Sequence, residues 1–325
     1  MPALDRILVI KHSALGDFIH SIASFQAIRA HHDSAKITLL TTAPFGRMAK
    51  QSGCFDEIWL DERPRWLRPD LWWRLIRELQ VEDFQRVYDL QRSDRTRLYL
   101  RLLGKRVPEW VGVAPEASHR YQPPLDHPIH IEDREAEQLA MVGVERAPYP
   151  DLSYITANLE RLQLPARYAM LIPGSSPKHP VKRWPPKQYA KLAAALATRG
   201  VTPLLIGRDE ERPEIELIKR VCPKARDLCG DTSLEDLAVM ARSAAVAVGN
   251  DTGPTQLVAA AGAPTIALFS TASNPIRSSP RGPWVRVCEA ADLADLTLGE
   301  VMDNLPDSLR EDPNKSMTRI PKEQG

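Results

Sequence analysis

The first residues that could do chemistry in this chain follow an apolar run at positions 6–10. Lys11, Ser13 and Asp17 come directly after that run, and the next stretch has helical periodicity, so Asp17 is expected at a helix start. Asp17 has two interpretations. It is a helix cap, because an Asp oxygen accepts an otherwise unpaired backbone N–H, or it is a general base for an acceptor hydroxyl that Lys11 and Ser13 help to bind. Spacing alone leaves both open.

A second polar turn, residues 249–254 (GNDTGP), lies between an apolar run and a helical stretch. Backbone N–H groups at a helix start bind anions, and Asp251, Thr252 and Gly253 would let phosphate oxygens approach the main chain. The turn is typical of a diphosphate site. Its alternative interpretation is a helix cap with proline in the first turn.

A third candidate is the cationic loop at residues 173–185, which follows another apolar run. Lys182 or Arg183 could neutralise a leaving phosphate, and Ser175 could donate a hydrogen bond to it. The alternative is a solvated basic loop, which is the usual position of lysine. Trp184 is expected to anchor the loop by packing.

The elements that must position these turns are short β-branched runs, each followed by a helical stretch, which predicts an α/β fold with parallel sheets. Two such series occur, and a proline-rich stretch between them indicates a boundary near Leu164. Residues 114–128 are expected to form a long loop. Ligands of such sheets bind at the carboxyl ends of the strands. The expected division is 1–164 for the first domain, 165–305 for the second and 306–325 for a mobile tail.

Composition excludes several function classes. The 325 residues carry 43 Lys and Arg against 42 Asp and Glu, which argues against a nucleic-acid partner. No apolar run is long enough to span a bilayer and no signal pattern is present, so a cytoplasmic protein is expected. The four cysteines are expected to be free and mostly buried. GxGxxG and GxxxxGK[ST] patterns are absent, which disfavours a dinucleotide-dependent dehydrogenase and a P-loop kinase.

Together, the order and spacing of the motifs resemble glycosyltransferase family 9, the ADP-heptose heptosyltransferases of lipopolysaccharide core assembly. The resemblance covers nearly the whole chain and also rests on residues 89–91 (DLQ), the helical stretch 132–142 and residues 182–185 (KRWP). It implies the GT-B fold, two Rossmann-like doubly wound domains facing each other across a cleft. The second domain would bind the sugar nucleotide and the first domain the acceptor.

When the functional residues of the family are matched to this sequence by position, the resemblance implies three roles. Asp17 is the general base, Lys182 contacts phosphate, and Asp209 binds ribose or sugar hydroxyls. Gln256 departs from the pattern, because many relatives have a histidine at this position, and it puts donor geometry or donor identity in doubt. The residues expected to bind the ADP-sugar donor are Ser175, Lys182, Asp209, Asp251, Thr252, Gly253 and Gln256.

An anionic, lipid-linked saccharide is the acceptor that the resemblance implies. Residues 63–77 are basic and rich in tryptophan, and they either pack in the core or touch the surface of the inner membrane. The residues expected to bind the acceptor are Lys11, Ser13, Gln91, Arg92, His119 and Arg120.

The expected reaction is an inverting transfer that needs one base and neutralisation of the leaving diphosphate. The chain contains no Asp-x-Asp pattern, so no metal and no cofactor are expected. Two alternatives remain open. One is a sugar-nucleotide-binding protein without transfer activity, and the other is a GT-B enzyme with a different donor or reaction, such as an epimerase.

Overall fold

A computed structural model describes residues 6–63, 68–147, 149–175 and 180–310. The chain divides into two compact units, Met1–Ile155 and Thr156–Gly325. This division falls before the predicted boundary at Leu164. The reason is local: Leu162 is buried, and Arg226 in the second unit donates hydrogen bonds to the carbonyls of Leu162 and Gln163.

The first unit contains a six-stranded parallel sheet in the order β3-β2-β1-β4-β5-β6. The central strand β1 is apolar and buried from its second residue onward, as a parallel strand covered on both faces requires. The strands are β1 (Arg6–Ile10), β2 (Lys36–Thr41), β3 (Glu57–Leu60), β4 (Arg86–Asp89), β5 (Glu109–Gly112) and β6 (His119–Arg120).

The helices of the first unit bury apolar side chains against this sheet. A core cluster around Tyr99 and Trp110 packs α4 and α5 onto β1 and β4. The helices are α1 (Leu15–His20), α2 (Ile22–His31), α3 (Ala43–Gln51), α4 (Pro69–Val81), α5 (Asp94–Leu103) and α6 (Ile131–Ala140).

The second unit contains another six-stranded parallel sheet, in the order β12-β11-β10-β7-β8-β9. Its central strands β7 and β10 are buried along their whole length. The strands are β7 (Tyr168–Ile172), β8 (Thr202–Leu205), β9 (Arg226–Asp227), β10 (Val246–Asn250), β11 (Thr265–Ser270) and β12 (Val285–Ala290).

Trp184 is the largest anchor of the second core: it is fully buried and its Nε1 donates to the Leu296 carbonyl at 2.8 Å. The predicted anchoring role of Trp184 is confirmed. The helices of this unit are α7 (Pro186–Thr198), α8 (Arg212–Val221), α9 (Leu234–Ala241), α10 (Gly253–Ala260), α11 (Pro275–Ser278), α12 (Leu298–Asp303) and α13 (Asp307–Arg310).

Both sheets have the Rossmann strand order, in which the first strand of the unit lies beside the fourth. The order reverses between β1 and β4 in the first unit and between β7 and β10 in the second. Ligands of open α/β sheets bind outside the carboxyl ends of the strands at such a reversal. The predicted α/β class with two Rossmann-like domains is confirmed.

Two predictions about irregular segments need correction. The expected loop at 114–128 contains the edge strand β6, which pairs with β5 over two residues and is too short to show a periodicity. The expected tail at 306–325 begins with helix α13, where Leu309 is buried in the core; the remaining residues from 311 lie outside the described part.

All four cysteines are free and buried, as predicted. Within the described ranges, no helix has the length and the apolar character that crossing a membrane would require.

Candidate functional site

Asp17 lies in the turn after β1, as the third residue of α1. Its side chain is exposed, and its Oδ2 accepts a hydrogen bond from the Ala14 N–H at 3.3 Å. The carboxylate thus satisfies a backbone donor at the helix start and remains accessible to a substrate. The capping interpretation and the general-base interpretation are compatible.

Gln91, after β4, fixes the turn that follows β1. Its Oε1 accepts hydrogen bonds from the N–H groups of His12 at 2.7 Å and Ser13 at 3.0 Å. The Ser13 hydroxyl accepts from Arg63 Nη1 at 3.2 Å. Gln91 and Ser13 are brought together at the strand reversal, and the Gln91 side chain shapes the site through its amide oxygen.

Lys11 lies in a buried ionic cluster next to the turn that follows β1. Its Nζ is 3.0 Å from Glu135 Oε1 on α6 and 3.1 Å from the Leu90 carbonyl, and Lys11 is only 2% exposed. Ser21 and Ser24 also donate to Glu135. Burial alone would raise the pKa of Glu135, but the charges of Lys11 and Arg92 prevail and hold that pKa below its usual range.

Glu135 was not singled out from the sequence, although a signal exists. It shares the buried face of α6 with Ile131, Gln138 and Leu139, and a carboxylate on an otherwise buried helix face requires a cationic partner. Gln138 donates to the carbonyls of Asp89 and Val111. The polar residues of α6 therefore bind α6 to the ends of β1, β4 and β5.

His20, His130 and Glu132 are three buried residues whose ligand atoms lie within 4.8 Å of one another, close enough to hold a metal ion. His20 Nδ1 is 2.9 Å from Glu132 Oε1, and His130 Nδ1 accepts from the Glu132 N–H at 3.2 Å. A neutral imidazole that accepts at Nδ1 carries its proton on Nε2, so His130 has no lone pair to spare in this arrangement. The cluster joins the end of α1 to the start of α6.

His119 and Arg120 form β6 at the edge of the sheet, where β5 separates them from β4. His119 Nδ1 is 3.1 Å from the Ser118 hydroxyl, and Arg120 is exposed. They lie farther from the strand reversal than Arg92, which follows β4. Arg92 Nη2 is 3.4 Å from Glu135 Oε1.

The tryptophan-rich segment divides between core and surface. Trp72 packs against the core with the Arg95 guanidinium 4.3 Å from its ring centre, and Arg95 binds both oxygens of buried Asp61. Trp73 is 71% exposed, and Arg74 pairs with Glu78. Arg65 and Trp66 lie outside the described residues.

Asn250, the last residue of β10, joins the loop after β7 and the basic loop to β10. Its Nδ2 donates to the carbonyls of Pro173 at 2.7 Å and Gly174 at 3.3 Å, and its Oδ1 accepts from the Trp184 N–H at 3.1 Å and the Tyr189 hydroxyl at 3.2 Å. The side chain is fully buried. It therefore fixes the loop after β7 and the basic loop against β10.

Lys182 and Asp251 are brought together, with Nζ 2.9 Å from Oδ2. Ser175 is buried and is held by Arg183, whose Nη2 donates to the Ser175 carbonyl at 2.8 Å while Nη1 binds Glu214 at 2.8 Å. In the described part of the basic loop, Lys182 and Arg183 are therefore held by side-chain contacts; residues 176–179 lie outside the described residues.

Helix α10 begins beside Lys182, with Thr252 as the extended residue before it. The Thr252 side chain makes no capping hydrogen bond to α10; its hydroxyl lies 3.2 Å from the Thr255 hydroxyl. The Gly253 N–H in the first turn, together with the helix dipole, is a suitable partner for an anion. Gly249 allows this arrangement, because a Cβ there would collide with Thr255 Oγ1 and lie 2.9 Å from Ile172 Cβ.

Asp209 is 85% exposed and pairs with Arg212. Glu211, two residues later, lies nearer the strand ends: its Oε2 accepts from the Arg208 N–H at 2.8 Å, and a Cβ on Gly174 would lie 2.7 Å from its Cγ. Asp209 was predicted from the sequence, whereas the position of Glu211 depends on a turn that the sequence does not reveal.

Gln256 is buried on α10, and its Nε2 donates to the Ser278 carbonyl at 2.7 Å. Its Oε1 is buried without a hydrogen-bond partner among the described residues. The side chain therefore links α10 to the end of α11.

Comparisons with known proteins give a consistent result. The model of "Glycosyltransferase family 9 (heptosyltransferase)" matches residues 72–297, more than half of the chain. "Lipooligosaccharide heptosyltransferase 2" of Haemophilus influenzae is 35% identical over 99 residues, and this match spans only 29% of each chain. The structure of E. coli ADP-heptose lps heptosyltransferase II superposes with a TM-score of 0.74 at 20% identity, covering 94% of this chain and 98% of that chain.

The structure of E. coli heptosyltransferase WaaC with ADP also superposes with a TM-score of 0.74, at 19% identity, covering 92% of this chain and 98% of that chain. At these identities the structural likeness shows a shared fold, while the match to the family model extends across both units. The chain belongs to glycosyltransferase family 9, the heptosyltransferase family.

Proposed function

We propose that this protein is an inverting glycosyltransferase that moves a heptose-type sugar from an ADP-sugar to a lipopolysaccharide core acceptor. The proposal depends on the positions of two turns, one after β1 and one after β10. Asp17 follows β1 and residues 251–253 follow β10, so a candidate base and a candidate diphosphate site each lie at a strand reversal of a Rossmann-like sheet.

The second unit is proposed to bind the donor. The start of α10 would receive the diphosphate on the Gly253 N–H, with Thr252 lining the turn. Lys182 is within reach of this turn, because it already contacts Asp251. A bound diphosphate would draw the Lys182 ammonium toward itself, and this cation would stabilise the charge that develops on the leaving ADP.

Three further donor residues are proposed with different roles. Ser175 borders the turn after β7, and exposed Asp209 is available to sugar or ribose hydroxyls. Gln256 holds α11 against α10 through Ser278 and acts on donor geometry through that contact. Its unpartnered Oε1 offers one acceptor to a donor hydroxyl.

The first unit is proposed to bind the lipid-linked saccharide acceptor. Exposed Asp17 would take the proton of the attacking hydroxyl, while Gln91 holds the turn that carries Ser13. Lys11 stabilises this turn through its buried ion pair with Glu135. Arg92, His119 and Arg120 provide polar groups at the strand ends. We place the reaction in the cytoplasm, with the exposed Trp73 on α4 facing the inner membrane surface.

The chemistry follows from these groups. The acceptor oxygen forms a bond to the anomeric carbon, the bond from that carbon to the diphosphate oxygen breaks, and the hydroxyl proton moves to Asp17. Attack opposite the leaving group inverts the anomeric centre. Because Lys182 and the N–H groups neutralise the diphosphate, the proposed transfer needs no metal, and addition of EDTA should leave the rate unchanged.

An Asp17→Asn variant tests the base. Loss of a general base lowers kcat by about 10²- to 10⁴-fold, whereas the ADP dissociation constant should stay within about twofold by calorimetry. Asp94→Asn is a matched control, because Asp94 also lies in the first turn of a helix, α5. Full turnover by Asp17→Asn refutes the base, and donor consumption without acceptor favours an epimerase-like reaction instead.

A further inference from the structure

Two arginines of the first unit have buried donors that the protein does not satisfy. Within the described residues, Arg92 Nη1 and Arg134 Nε are both buried and neither has a hydrogen-bond partner. Arg92 follows β4, and its side chain is 10% exposed; Arg134 lies on α6. Buried guanidinium N–H groups are nearly always paired in folded proteins, because an unpaired charged donor is costly.

The two guanidinium groups also act on each other. The pKa of Arg134 is lowered, first by burial and then by the positive charge of Arg92, while the charge of Asp17 acts in the opposite direction. Arg134 directly precedes Glu135 on α6, and Arg92 Nη2 lies 3.4 Å from Glu135 Oε1, so both cations lie at the same turn of α6, where like charges in a partly desolvated position repel each other. An oxyanion between them would remove the repulsion and accept both free donors.

The protein holds Arg92 in this position at a cost in backbone energy. Arg92 has a φ of 53°, in the left-handed region that side chains rarely adopt. Its N–H donates to Asp89 Oδ1 at 3.0 Å, and its Nη2 lies 3.4 Å from Glu135. Strained backbone of this kind persists where the surrounding contacts over-determine it, and it is concentrated at ligand sites.

Glu135 cannot neutralise the arginines by itself. Its Oε1 already receives Lys11 at 3.0 Å and Ser21 at 2.9 Å, and its Oε2 receives Ser24 at 3.0 Å. Lys11 and Arg92 both contact Glu135, so this one carboxylate is shared between two cations before Arg134 is considered.

We propose that Arg92 and Arg134 form an oxyanion subsite that binds a phosphate or carboxylate of the acceptor, next to the hydroxyl that reacts. Glu135 is a positioning residue that holds Arg92. The identity of the ligand rests on the proposed function, since an acceptor saccharide is its source. Planar guanidinium groups bind phosphate and carboxylate through paired hydrogen bonds, which fixes the ligand's orientation as well as its position.

The first test does not depend on transfer. Inorganic phosphate is titrated into the full chain in the presence of saturating ADP, which is expected to occupy the turn at residues 251–253, and the melting temperature is recorded. Phosphate should raise the melting temperature of the wild type and of Arg97→Gln, a control whose guanidinium is bound by Glu116 on the surface. Arg92→Gln and Arg134→Gln should lose this response. An undiminished response in both variants overturns the subsite.

The second test measures transfer kinetics. Arg92→Gln should raise the acceptor KM by about 10- to 150-fold, as expected for loss of a charged hydrogen bond, with the donor KM within about twofold. The penalty should disappear on an acceptor that lacks the recognised group. Dephosphorylated acceptor and carboxyl-reduced acceptor are compared. The acceptor for which the wild type and Arg92→Gln have the same KM identifies the anion that the subsite binds. An unchanged acceptor KM in Arg92→Gln refutes the proposal.

Glu135 is tested by rescue. Glu135→Gln should raise the acceptor KM and leave the donor KM unchanged. Glu135→Asp should lower the acceptor KM part of the way back, because it restores the charge. Equal effects on both KM values refute a positioning role. If the wild type shows the phosphate response but transfers to no acceptor, the proposed function fails while the subsite stands.

Discussion

Asn250 allows a sharp prediction, because this one buried side chain connects the loop after β7 and the basic loop to β10. Asn250→Ala removes four hydrogen bonds at once. The Trp184 N–H and the Pro173 carbonyl are then left unpaired, and each unpaired buried group costs about 1–3 kcal/mol. The Tyr189 hydroxyl keeps the Ile172 carbonyl at 3.2 Å and the Gly174 carbonyl is only partly buried, so these two groups add little. Two unpaired groups give an expected loss of about 2–6 kcal/mol in the free energy of unfolding.

The assay is urea unfolding of the full chain, followed by circular dichroism, together with calorimetric titration of ADP. Asn250→Ala should also weaken ADP binding, because the loops at Gly174 and Lys182 lose their shared anchor. Asn304→Ala is the control: its Nδ2 donates to the Glu300 carbonyl at 2.9 Å in an exposed hydrogen bond, so it should cost less than about 1 kcal/mol. If Asn250→Ala costs no more than this control and binds ADP normally, Asn250 does not anchor these loops.

Two other variants test the packing and the electrostatics of the units. Gly249→Ala should lower the free energy of unfolding by about 1–3 kcal/mol and weaken ADP binding, because its Cβ would collide with Thr255 and Ile172. The control is Gly299→Ala in α12, whose Cβ meets only Thr297 Oγ1 at 3.8 Å, so this variant should be neutral or stabilising. Equal results for the two variants contradict the prediction. Burial lowers the pKa of His12 from 6.5 to about 4, so the unfolded state binds more protons between these pH values and stability falls as the pH falls through this window. The free energy of unfolding, measured with urea at pH 7 and at pH 4.5, should fall by about 2–3 kcal/mol more in the wild type than in His12→Gln. His119→Gln is the control variant. Equal losses of stability in all three proteins refute the prediction.

The sequence was sufficient for the features that depend on neighbouring residues. Each strand and the turn after it are contiguous, so the positions of Asp17 after β1 and of Asp251 after β10 could be predicted from apolar runs followed by helical periodicity. The Rossmann order explains why these separate motifs matter, since both follow strands that border a reversal.

The contacts that complete the site join residues far apart in the chain. Glu135 is 124 positions from Lys11, and no local pattern predicts that pairing. The same holds for Asn250, whose partners lie 66 and 77 positions away at Trp184 and Pro173. The short elements were missed for another reason: β6 has two residues, and α13 is anchored by one buried leucine, so neither shows a periodicity.

The proposed transfer is tested by measuring turnover and stereochemistry in one reaction. The protein is incubated with ADP-heptose and a core lipid lacking heptose, and the product is examined by mass spectrometry and NMR. An inverting transferase should add one heptose per ADP released, with the anomeric configuration opposite to that of the donor. Retention of configuration, or ADP binding without transfer to any core acceptor, would contradict the proposed transfer.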